Sequence, residues 1–82
     1  MSSRSRRNFN SRSRSRQIAE EAKDRLRNEP HLNRRDVSCE CEEDVLRLRG
    51  ELPTFYEKQV AQEAVKRVEG VAGVINDIRV TG

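Results

Sequence analysis

Apolar residues mark two kinds of pattern along this chain. From Gln17, Ile18, Ala22 and Leu26 recur every four residues with Ala19 beside them, and polar residues fill the gaps. That is one stripe of an amphipathic helix. Ser15 is the expected N-cap, Glu20 and Glu21 sit in the early turns, and Arg25 and Arg27 sit near the end, in accord with the helix dipole. Asn28 and Pro30 stop the helix. The period then changes to two. Val37, Cys39 and Cys41 share one face of a strand, with Ser38, Glu40 and Glu42 on the other. After Glu43-Asp44, Leu46, Leu48, Gly50 and Leu52 alternate with Arg47, Arg49 and Glu51.

A two-residue turn at Glu43-Asp44 sets Cys41 opposite Leu46, Cys39 opposite Leu48 and Glu40 opposite Arg47, so both faces agree with a hairpin. The turn chemistry is poor, because tight hairpins prefer Gly or Asn with positive φ, and a bulge or longer loop stays open as the alternative. Thr54-Phe-Tyr-Glu57 is a capping box with Pro53 before it. It opens a second helix whose stripe is Val60, Ala61, Ala64, Val65 and Val68. Gly70 ends that helix, and Val71 folds back on its last turn. Val74, Ile78 and Val80 then share one face of a last strand, with Asp77 and Arg79 on the other. The fold class is α+β, a single α-β-β-α-β domain. Two helices should pack on one face of a three-stranded sheet and leave the other face wet.

Charge divides the chain. Its 82 residues suffice for one domain, and 33% hydrophobic against 38% charged residues makes any core thin. Residues 1–16 carry Arg4, Arg6, Arg7, Arg12, Arg14 and Arg16 and no acid. Residues 17–82 carry 11 Lys/Arg against 14 Asp/Glu. We therefore expect a disordered Arg/Ser-rich tail over 1–16, preceding a mildly acidic domain over 17–82 that starts between Ser15 and Ile18. The tail attracts polyanions, whether nucleic acid, anionic lipid or acidic protein, or serves only as a solubilising arm. No apolar run approaches the length of a bilayer span, and no apolar stretch follows the basic N-terminus. The expected location is cytoplasmic or peripheral to a membrane, or periplasmic if the chain has been processed.

Little in the sequence carries chemistry. His31 reads as a solvated loop residue with no titratable neighbour at a spacing that would orient it. Cys39 and Cys41 fall on the core face of one strand, too close in sequence for an unstrained disulfide and without the third and fourth ligands that zinc requires. Glu40, Glu42, Glu43 and Asp44 form a solvated strand face and turn rather than a cation loop. Gly70-Val-Ala-Gly73 has the spacing of a KH-type backbone clamp but joins a helix to a strand behind Glu69. No enzymatic activity, cofactor, metal or small-molecule substrate is expected.

Two segments resemble a known family. Leu46-Arg-Leu48-Arg-Gly50-Glu-Leu52 and the closing run Val68-Glu-Gly70-Val71-Ala-Gly-Val74-Ile-Asn76-Asp-Ile78-Arg-Val80 are similar to the motifs of BON domains, over residues 17–81. The hairpin turn departs from them in lacking the usual glycine. Many members also hold two or more such domains, where this chain holds one. The resemblance implies the α-β-β-α-β fold and a binding module for phospholipid membranes or envelope partners. An anionic phospholipid or envelope protein is thus the expected partner. Nucleic acid bound through the tail, or a purely protein-binding domain meeting its partner by the open sheet face or an edge, are the competing readings. Oligomeric state and strand order stay open. The candidate anion-binding residues are Arg34 and Arg35 in the loop, Arg47, Arg49 and Arg79 on the open sheet face, and the six arginines of the tail. Alternatively, the sheet arginines only pair with Glu40, Glu51 and Asp77.

Overall fold

The structure is a computed structural model. It describes residues 14–32 and 35–82, and of residues 2–13 gives only their place in the first helix. The elements are α1 (Ser2–Arg27), β1 (Val37–Glu42), β2 (Val45–Leu52), α2 (Phe55–Lys66) and β3 (Gly73–Val80). The sheet order is β1-β2-β3, with β1 antiparallel and β3 parallel to β2. The expected α+β fold is present, with both helices over one face. Ile18, Ala22 and Leu26 from α1 meet Ala61 and Val65 from α2 above Leu46, Leu48 and Ile78 of the sheet. A fully buried leucine such as Leu48 is worth about 2–5 kcal/mol against alanine in a core like this.

The expectation for the tail falls mostly on residues 1–13, outside the described residues. Its last three residues correct the reading: Arg14, Ser15 and Arg16 continue α1, so Ser15 is no N-cap. Ser15 is half-buried, with its hydroxyl near enough to the Cys41 thiol to favour the thiolate. Arg14 Nε lies 3.9 Å from the Asp44 carboxylate. Arg-Ser alternation has no apolar signal that would mark this last part of the tail as helix.

The hairpin adopts the expected register, Cys41 on Leu46, Cys39 on Leu48 and Glu40 on Arg47. Glu43 and Asp44 form a two-residue turn with φ of 51° and 66°, the left-handed pattern that disfavours both side chains. Neighbours hold it: the Asp44 carbonyl accepts the Ala72 N–H at 2.7 Å, besides the Arg14 pair. Gly50 bends β2 with φ of +147°, and a Cβ there would stand 2.7 Å from the Asp36 carbonyl oxygen.

At the start of α2, the Thr54 hydroxyl accepts the Glu57 N–H at 3.0 Å, as the capping box predicts. The return bond differs, because the Glu57 carboxylate takes the Thr54 hydroxyl at 3.1 Å instead of a backbone N–H. The helix ends at Lys66, short of Val68, where i→i−3 bonds from Val68 to Val65 and Val71 to Val68 tighten the chain before Gly70 at φ +95°.

Asn76 is the polar exception on the inner face of β3. Its amide donates to the Lys58 carbonyl at 3.0 Å and to Gln62 Oε1 at 3.2 Å, fastening α2 to the strand. Its Oδ1 accepts the Ile78 N–H at 3.2 Å. The Thr81 N–H points to Leu52 across the ladder, so by alternation the Ile78 N–H faces the outer side of β3.

Candidate surface for binding

The open sheet face does not hold free positive charge at two of its three expected arginines. Arg47 turns from its register partner Glu40 to Asp77 on β3, at 3.5 Å, and Arg79 lies 3.8 Å from Glu51. These exposed pairs add little stability, but they leave little net field for an anion. Among the described residues Arg49 has no carboxylate within 4.0 Å, and it stands between Ser38 and Asp77 in the register. Arg34, Arg4, Arg6, Arg7 and Arg12 lie outside the described residues. Arg14 lies at the limit of an ion pair with Asp44, and Arg16 is exposed on α1.

Arg35 is placed differently. It lies in the α1–β1 connection, and its Nε donates to Glu57 Oε1 at 3.0 Å. Glu57 is only 9% exposed, so the guanidinium is anchored at the first turn of α2. Phe55 and Tyr56, in that same turn, are 67% and 61% exposed. The Tyr56 ring meets His31 edge-on, with centroids 5.4 Å apart. His31 and Arg35 thus meet the start of α2, where the exposed Phe55 and Tyr56 share a turn with the acid that anchors the guanidinium. The aromatics were missed in the sequence because Thr54-Phe-Tyr-Glu57 accounts for itself as a helix start. Two adjacent aromatics in a chain with only three, Phe9 being the other, were the available signal.

A groove of about 430 Å³ adjoins Arg35 on the other side, lined by Lys23, Leu26, Arg27, Leu32 and Val37 as well. Lys23 and Arg27 are one turn apart on α1, a spacing that puts both on one flank. Neither was a sequence candidate, since only the fold sets them beside Arg35. Arg27 Nη1 lies 3.9 Å from Asp24 in an exposed pair, and Lys23 is near enough to Cys39 to favour its thiolate.

The thiols are unsuited to chemistry. Burial, foremost, pushes Cys39 up to about 11, with the Cys41 charge adding to the rise. Burial also raises Cys41, opposed by the Ser15 hydroxyl. Both are free cysteines and neutral at ordinary pH. Among the described residues no three His, Cys, Asp or Glu side chains converge as metal ligands, and no helix is long and apolar enough to cross a membrane.

The sequence profile of the BON domain family matches residues 15–82. No curated protein matches the chain.

Proposed function

This chain belongs to the BON domain family, and on that footing we propose that it is a non-catalytic module that docks peripherally on anionic phospholipid surfaces. The observation that carries the reading is the exposure of Phe55 and Tyr56 beside the anchored Arg35. Aromatic rings suit the boundary between acyl chains and headgroups, and a guanidinium suits the phosphates above it. The docking energy comes from apolar contact plus charge, so salt weakens only part of it. The six arginines of residues 1–16 would add a salt-sensitive share. Those same arginines favour the second reading, nucleic-acid binding.

Vesicle co-sedimentation of the full chain tests the proposal. Phosphatidylcholine vesicles containing phosphatidylglycerol should bind it, with residual binding in high salt. Phe55→Ser/Tyr56→Ser should abolish the salt-resistant part. Absence of vesicle binding at low salt overturns the reading. Nucleic-acid affinity exceeding vesicle affinity, and indifferent to the aromatic substitutions, would establish the second one.

A further inference from the structure

We propose that the groove between α1 and the start of β1 receives the phosphate of an anionic phospholipid headgroup, held by Lys23, Arg27 and Arg35. This deepens the membrane-surface reading and rests on it. The three cations come from two segments of the chain and surround an apolar floor of Leu26, Leu32 and Val37. Lys23 has no carboxylate within 4.0 Å among the described residues. Arg27 has one, Asp24, at the limit of an ion pair and exposed. Arg35 uses its Nε on Glu57, and among the described residues its two Nη groups make no hydrogen bond to the protein. A guanidinium oriented in this way offers a phosphate paired donors without first losing side-chain entropy.

The floor argues for a lipid. A bare phosphate gains nothing from leucine and valine, whereas a headgroup brings glycerol and the first methylenes of its chains with it. At about 430 Å³ the groove is larger than a phosphate alone needs. Asp24, and Asp36 following Arg35 in the chain, temper the charge, so the site favours a single phosphodiester over a dense polyanion.

The test compares two charge-neutralised versions of the full chain, both checked for an unchanged melting transition. Lys23→Gln/Arg27→Gln removes the groove cations, and Arg25→Gln/Arg67→Gln removes two charges from the α1–α2 side. On phosphatidylglycerol-containing vesicles the first pair should lose roughly tenfold or more in affinity and the second far less. Lys23→Arg should retain binding. Binding to pure phosphatidylcholine should be the same for all. Equal losses for the two pairs overturn the subsite while leaving membrane docking intact; no vesicle binding by the unaltered chain overturns both. Inorganic phosphate, followed by amide shifts at Lys23, Arg27 and Val37, separates the sources. It should shift these amides weakly and leave vesicle binding in place. If it displaces the vesicles, the groove takes free phosphate and the headgroup assignment is wrong.

Discussion

Arg35 and Glu57, 22 residues apart in sequence, are joined by a 3.0 Å bond from Nε to Oε1 that ties the loop after α1 to the first turn of α2. The same carboxylate accepts the Thr54 hydroxyl, so one buried acid closes the helix cap and locates the loop. Glu57→Ala should therefore cost about 1–3 kcal/mol, most of it from the cap and the lost bonds, because Arg35 is half-exposed and its pairing is screened. Arg35→Ala should cost less in stability. Chemical denaturation of the two single variants and the double variant would measure the coupling, and additive losses would show that the bond contributes nothing.

Gly50 has a separate reason to be glycine. With φ of +147° and the Asp36 carbonyl in the way of any Cβ, Gly50→Ala must displace backbone at the start of β1. A loss of about 2–4 kcal/mol is expected. Unchanged stability by urea denaturation would show that the strand relaxes freely.

The hairpin turn offers the opposite case. Glu43 occupies φ of 51° without the short polar side chain that tolerates it. Glu43→Asn should stabilise the domain by about 0.5–1 kcal/mol and leave the register alone. A fall in the urea midpoint would mean that the Glu43 side chain makes contacts outweighing the strain.

The thiol at Cys39 links stability to alkaline pH. Its folded value, about 11, lies above the value of 9.0 for a free thiol, because burial disfavours the thiolate. Below about 9 both states are protonated and the stabilisation is complete. Between about 9 and 11 the unfolded chain ionises first, and stability falls as pH rises. Cys39→Ala should flatten that part of the pH profile while costing about 1–2 kcal/mol throughout from lost packing. Denaturation midpoints at pH 8 and pH 10.5 for both proteins would check it. An identical alkaline slope in the variant assigns the loss to other groups.

The readable parts of the fold were those with a period. The Ile18-Ala22-Leu26 stripe and the alternation through Cys39, Cys41, Leu46 and Leu48 appear in the core as expected because burial is what produces those periods. Val80 shares the inner parity of Ile78 yet is 40% exposed, since it ends its strand beyond the cover of the helices. The parallel pairing of β3 depends on the crossover through α2, which no local pattern encodes. Among the candidate arginines, the alternative in which the sheet arginines pair with neighbouring acids holds for Arg47 with Asp77 and Arg79 with Glu51, whereas the anchoring of Arg35 by Glu57 had no local signal. Lys23 and Arg27 became relevant only through the packing of α1 beside β1.

Asn76 has a further consequence. A protein collected on a surface meets its neighbours far more often than in bulk, and an outer strand with a free N–H at its middle would recruit the strand of the next copy. Here that N–H, on Ile78, is already occupied by Asn76 Oδ1, whose amide is in turn held by α2. The side chain thus withdraws one donor in the middle of the β3 edge from pairing with a strand of another copy.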